Sequence, residues 1–166
     1  ILCQSKCAIT STDTSEMLHN RLATLGAATL IENLPSLLQG QLTQIPQTDT
    51  GVTYAHKLEK KEAILDWHQD VQTLARKVRA FNPWPIATMS VNDEMIRIWE
   101  AAPSSVSSSA IPGTIISVSK QSIEVATGDG TLCLLRLQLP GGRPLTIAEL
   151  LNGRHQWMTP GRILTS

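Results

Sequence analysis

Aromatic side chains are scarce in this chain: 166 residues carry one phenylalanine and one tyrosine, beside four tryptophans at 67, 84, 99 and 157. Net charge of either sign is also missing. Fourteen basic residues balance fourteen acidic ones, so no global field draws in nucleic acid or any other charged partner. The three cysteines, Cys3, Cys7 and Cys133, have neither a CxxC spacing nor a second pair, which argues against a metal site. On a strand Cys3 and Cys7 would share one face as small buried hydrophobes, and reduced thiols suit the cytosol. No apolar run approaches the roughly 18 residues of a membrane span, so no membrane partner is expected. Ile1–Thr10 lacks the basic and long apolar regions of a signal peptide. An initiator methionine is absent too, and the opening reads as though cut from a longer protein. No Gly-rich phosphate loop or nucleophile motif occurs.

What is present is an ordinary globular composition, 42% apolar and 17% charged, enough to bury a core in one domain or two small ones. Charge is uneven along the chain. From Arg76 onward nine Lys/Arg face six acids, a weak cationic excess that a plain solvated surface would also give.

Residues 2–9 read as a short strand. Asp13 offers an N-cap with Glu16 three positions on, and Met17, Leu18, Leu22 and Leu25 follow at helical spacing. Gly26 is expected to interrupt this helix. A second one, with Leu30, Ile31, Leu34, Leu37 and Leu38, runs to Gly40, and Pro35 should kink it or sit near its weak point. Residues 41–66 mix short extended pieces (42–45, 52–55 and 64–67) with a charged stretch, 56–62, and read as a connector crossing the surface. Residues 69–81 form an amphipathic helix that turns Val71, Leu74, Ala75 and Val78 inward.

The run Arg79-Ala80-Phe81-Asn82-Pro83-Trp84-Pro85 closes that helix, and its two prolines force Asn82 and Trp84 into extended or turning backbone. Beyond it the period changes to two. Residues 87–91 and 94–102 form a hairpin about Asn92-Asp93; a Ser-rich loop spans 103–112. Further strands cover 113–118, 122–126 and 131–137, and Thr146 caps a short helix, 147–152. Five strands and a small helix suggest a compact β-barrel of the oligonucleotide-binding kind; they also fit a small open sheet.

Several stretches, in order, resemble methionyl-tRNA formyltransferase: Arg79–Pro85, Pro112-Gly113-Thr114-Ile115, Val125-Ala126-Thr127-Gly128-Asp129-Gly130 and Leu150-Leu151-Asn152. Upstream, Ile9-Thr10 with Asp13-Thr14, and Val52-Thr53-Tyr54 leading to Lys57-Leu58, Lys60 and Ile64, Asp66 and Trp67, resemble it as well. The resemblance implies an α+β chain. Residues 1–55 would be the strand-helix tail of a Rossmann-like formyltransferase domain, 56–81 a connector with a helix, and 82–166 a small β-barrel that binds tRNA. It implies a cytoplasmic, monomeric enzyme that moves a formyl group from 10-formyltetrahydrofolate to the amino group of initiator methionyl-tRNA. The family's catalytic asparagine, histidine and aspartate would lie upstream of Ile1, and the donor site mostly outside this chain.

The residues agree with that absence. Amine attack on a formyl carbonyl needs a proton acceptor and an oxyanion donor. None of His19, His56, His68 and His155 has an Asp or Asn at a spacing that suggests a shared pocket, so no catalytic residue is expected here. For RNA, the resemblance brings in Lys57, Lys60 and Lys61 of the connector, and the candidates extend to Arg76, Lys77, Arg79, Arg97, Lys120, Arg136, Arg143 and Arg154. His155 stands where a second arginine can occur.

Two placements stay open. Met95, Arg97 and Trp99 share one face of a strand opposite Ile96 and Ile98. That face is either an exposed basic and aromatic surface or core with Arg97 at its rim, and Arg136, alternating with Leu132 and Leu134, carries the same ambiguity. Phe81, Asn82, Pro83, Trp84 and Pro85 are expected at a domain interface, with base stacking as the other role for Trp84. Two other functional readings remain: a stand-alone nucleic-acid-binding module, and a relative that uses formyltetrahydrofolate as a sugar formyltransferase or a hydrolase. The prolines around Trp84 favour the tRNA enzyme.

Overall fold

Backbone pairing concentrates in the second two-thirds of the chain. The structure is a computed structural model that describes residues 1–153 and 156–165. It divides into two compact units, Ile1–Lys57 and Leu58–Ser166.

In the first unit one helix, α1, runs unbroken over Ser15–Leu38. Gly26 lies inside it rather than between two helices, because one exposed glycine costs a helix only about 1 kcal/mol. Pro35 sits in its last turn, where few bonds remain for a proline to remove. The N-cap is Thr14, one residue later than expected: its hydroxyl accepts the Met17 N–H at 3.3 Å. Asp13 has another task. Its carboxylate accepts the Thr10 N–H at 2.8 Å and pairs with Arg21, which also donates to the Ala8 carbonyl at 2.7 Å. Arg21 and the Thr10 amide hold the Asp13 carboxyl down at about 2. The expected strand over 2–9 is absent; that segment is irregular. A strand needs a paired neighbour, and only Ile1 exchanges backbone bonds, with Ile45. No residue of α1 is buried.

The second unit begins with a 3-10 turn, Lys60–Ala63, followed by α2 over Val71–Ala80. The Asp70 carboxylate caps α2, accepting the Thr73 N–H at 2.9 Å. Leu74, Ala75 and Val78 are its buried face, packed on the sheet. Six strands follow: β1 Ala87–Val91, β2 Glu94–Pro103, β3 Ile115–Val118, β4 Ile123–Ala126, β5 Thr131–Gln138 and β6 Leu145–Thr146. A short helix, α3 Ile147–Leu151, closes the series under a Thr146/Glu149 capping box. The sheet is antiparallel in the order β1-β2-β5-β4-β3, with β6 beside the C-terminal end of β5. The core holds Leu65, Trp67, Met89, Ile96, Ile98, Ile115, Ile123, Leu134 and Ile147.

The expected closed barrel is not formed by these strands: β1 and β3 end the order as edges and do not pair. Residues 161–165 lie along both edges instead. Ser90 and Thr165 exchange two backbone bonds, at 2.9 and 3.1 Å, while Leu164 donates to the Gly113 carbonyl at 2.9 Å and Ile115 donates to Arg162 at 2.8 Å. Edge N–H and C=O groups are thereby satisfied without a regular strand.

Between β2 and β5 the register shifts on both sides of Glu100. Trp99 and Leu135 are left without a cross-strand partner, as a β-bulge leaves its extra residue. The buried parity therefore flips, from Ile96 and Ile98 to Ala101 on β2 and from Leu132 and Leu134 to Leu137 on β5. That flip puts Arg136 outside, beside Glu100.

Candidate functional site

The residues after α2 are folded by their own backbone. Phe81 is buried and donates its N–H to Lys77 and Arg79 carbonyls as the C-cap of α2. The Asn82–Pro83 and Trp84–Pro85 peptides are cis, and Ile86 has φ 69°, a region that costs a β-branched residue of order 1–3 kcal/mol. The Ile86 N–H closes the loop on the Phe81 carbonyl at 2.9 Å. Asn82 Nδ2 donates to the Trp99 carbonyl at 3.0 Å, which ties this loop to the bulge in β2. Trp84 stands out from it, 51% exposed.

Beneath Trp84 lies the solvent face of β2. Met95 and Arg97 are exposed and Trp99 is half-buried, whereas Ile96 and Ile98 are in the core. Of the two readings of this strand, the outward one holds. The Trp99 indole N–H donates to Gln138 Oε1 at 2.8 Å, and Gln138 Nε2 donates to the Gly142 carbonyl at 2.7 Å. Together with Thr88 of β1, the loop at Pro140 and the 3-10 turn, these side chains line a groove of about 940 Å3, all of it from residues 58–166. That volume is at the upper end of the ~300–1,000 Å3 usual for ligand clefts.

Of the cations proposed from sequence, the groove collects Lys60, Lys61 and Arg97, together with Pro83, Trp84 and Pro85. Lys61 is paired with Glu59 at 2.7 Å. Lys60 and Arg97 have no ion-pair partner among the described residues. Asp93 and Glu94 line the groove as well, at the hairpin turn where Asn92 and Asp93 both have positive φ.

The other candidates lie elsewhere. Lys77 folds inward: its Nζ donates to the Ile64 carbonyl at 2.8 Å and lies 6.0 Å from the Phe81 ring centre, and burial lowers its pKa. Arg76 donates weakly to the Thr73 hydroxyl at 3.4 Å, and Arg79 is half-buried. Arg136 pairs with Glu100 at 3.3 Å and Arg143 with Glu149 at 2.8 Å. Lys120 is exposed in the β3–β4 turn, and Lys57 is exposed in the first unit. Arg154 and His155 lie outside the described residues.

Sequence reasoning missed Thr88, Gln138 and Pro140 as groove residues, and no local signal marks them; only the β2–β5 register brings Gln138 to Trp99. It also read no partner for the histidines, yet His68 Nδ1 is 3.0 Å from Asp66 Oδ1. That pair is exposed on both sides.

The glycines of the Thr127-Gly128-Asp129-Gly130 loop are required by close packing on the start of α2. Gly128 donates to the Trp67 and Gln69 carbonyls, and a Cβ there would meet the His68 carbonyl oxygen at 1.8 Å. A Cβ on Gly130 would meet Val71 at 2.8 Å.

Residues 57–155 match the family model described as the formyl transferase C-terminal domain. The chain belongs to that family. Among solved structures, a HypX variant from Aquifex aeolicus is similar in fold, with TM-score 0.63 and 20% identity over 86% of this chain and 26% of that one. HypX from the same organism in complex with tetrahydrofolic acid matches with TM-score 0.56 and 23% identity, over 75% of this chain and 22% of that one. WlaRD, a sugar 3N-formyl transferase solved in the presence of dTDP and 5-N-formyl-THF, matches with TM-score 0.56 and 15% identity, over 76% of this chain and 45% of that one. The chain thus spans about a quarter of HypX and less than half of WlaRD.

Proposed function

We propose that this chain is the C-terminal part of a methionyl-tRNA formyltransferase, a cytoplasmic monomer acting in translation initiation, and that its role there is to hold initiator methionyl-tRNA. The parent enzyme passes a formyl group from 10-formyltetrahydrofolate to the methionyl amino group. Residues 1–55 are the tail of its catalytic domain, 56–81 the connector and helix, and 82–166 the tRNA-binding part.

The observation that carries the reading is the cationic and aromatic groove that Arg97 and Lys60 line together with Trp84 of the RAFNPWP run. Lys and Arg contacts to phosphates fix the register of an RNA without reading its sequence. Such contacts would hold the tRNA while the catalytic domain works on its amino acid. Apolar side chains on α1, among them Leu22, Leu30, Ile31 and Leu34, are exposed; in the parent they would pack on the rest of that domain.

Chemistry is not assigned to this part. Among the described residues no histidine is a base held by a carboxylate in a cleft, and the donor site is proposed to lie mostly outside this part. The test titrates the chain with initiator methionyl-tRNA and with a dTDP-sugar, and assays formyl transfer from 10-formyltetrahydrofolate in parallel. Saturable tRNA binding, no sugar-nucleotide binding and background transfer are expected. Sugar-nucleotide binding in place of tRNA would overturn the substrate, and turnover above background would overturn the division of labour.

A further inference from the structure

The groove contains more than a duplex backbone calls for. A duplex presents phosphates and 2′-hydroxyls, and cations suffice to hold it. Here the lining adds Trp84, Met95 and Trp99 to Lys60 and Arg97. Trp84 keeps half its surface in water, with a proline on each side limiting its backbone. Trp99 has its indole N–H committed to Gln138, so that ring is held in one orientation. Arg97 lies two residues from Trp99 on the same strand face, with no ion-pair partner among the described residues.

We infer that the groove takes an unpaired segment of RNA, with one base stacked on the Trp84 indole and neighbouring phosphates on Arg97 and Lys60. The inference rests on the tRNA-holding role and narrows it, from the molecule as a whole to an unstacked part of it. Every base has a π-face, so stacking of this kind is tolerant of sequence. The carboxylates of Asp93 and Glu94 give the groove a direction. At about 3.3 Å per residue, Glu94 lies some 10 Å from Arg97 and some 17 Å from Trp99 along β2, so the acidic end repels phosphate and the backbone lies on the Arg97–Trp99 side.

The experiment compares a labelled single-stranded RNA of about eight nucleotides with an RNA duplex of about sixteen base pairs, on the whole chain and on its W84A, W84F and R97A variants. Circular dichroism checks that each variant is folded. W84A is expected to weaken the single strand about 5- to 140-fold and leave duplex affinity unchanged, while W84F retains most of the binding. R97A is expected to weaken the single strand and flatten its salt slope by about 0.7. A folded W84A that binds the single strand like the parent overturns the inference, and if it has lost only thermal stability Trp84 is a packing anchor. Initiator tRNA is titrated alongside. If tRNA binds and Trp84 has no effect on the single strand, this inference fails and the tRNA role stands. If the single strand binds through Trp84 but tRNA binds no more tightly, the tRNA role fails and the inference stands.

Discussion

The indole N–H of Trp99 donates to the side-chain carbonyl of Gln138 at 2.8 Å, joining β2 to β5 beside the bulge that leaves Trp99 without a strand partner. Gln138 is fixed in turn by the Gly142 carbonyl. Trp99 is thus held at both ends, by Gln138 at the ring and by Asn82 at its carbonyl. Gln138→Leu removes the ring's partner and leaves a half-buried N–H unsatisfied, at a cost of about 1–3 kcal/mol. A fall in Tm of several degrees is expected, with a change in tryptophan emission as Trp99 is released. Unchanged Tm and emission would show that the bond does not position the ring.

Gly128 and Gly141 separate steric need from conformational need. A Cβ on Gly128 would stand 1.8 Å from the His68 carbonyl oxygen, whereas one on Gly141, at φ 70°, would meet nothing within 4 Å. Gly141→Ala is expected to cost about 1–2 kcal/mol, the strain of a left-handed residue. Gly128→Ala must displace the 67–69 segment from the 127–130 loop and belongs with the exceptional losses above about 4 kcal/mol. Urea denaturation of the two variants checks the order; equal losses would contradict the close approach.

Acid acts on the α3 cap. The Thr146 amide, then Arg143 and the Thr146 hydroxyl, lower the Glu149 pKa to about 2. A carboxyl with a depressed folded-state pKa contributes stability above its unfolded value of about 4.3 and loses it as pH falls through the folded one. Stability should therefore drop between about pH 4.5 and 2, and Glu149→Gln should reduce that dependence while lowering stability at neutral pH. A variant with the parent's acid profile would remove Glu149 as a cause.

What the sequence disclosed was local. The hairpin at Asn92-Asp93, the Thr146 cap of the short helix and the inward face of α2 all follow from residue type and spacing over a few positions, and the structure has each of them. The failures needed distant information. Alternation over 2–9 reads as a strand only if a neighbour pairs with it. Gly26 reads as a break, but a long helix absorbs it and carries Pro35 in its last turn. In β2, alternation grouped Met95, Arg97 and Trp99 but could not say which side faces the core; the packing of α2 on β2, with Ile96 and Ile98 in one core with Leu74 and Val78, decides it. Arg136 defeated the period of two because bulges in β2 and β5 shift the parity between Leu134 and Leu137. The cations were the least legible part, since Lys77, Arg136 and Arg143 meet partners that no short-range pattern announces.

The central claim is that the exposed cations of the second unit hold tRNA through its phosphates, and affinity measured against salt tests it most directly. Initiator methionyl-tRNA is titrated with the chain and with the Arg97→Ala variant between about 50 and 200 mM salt. The logarithm of the affinity should fall linearly with the logarithm of salt, at a slope of about −0.7 to −0.9 for each phosphate contacted, and Arg97→Ala should reduce the slope by about 0.7. Affinity that does not respond to salt, or a slope unchanged in the variant, would contradict a phosphate-binding site at Arg97.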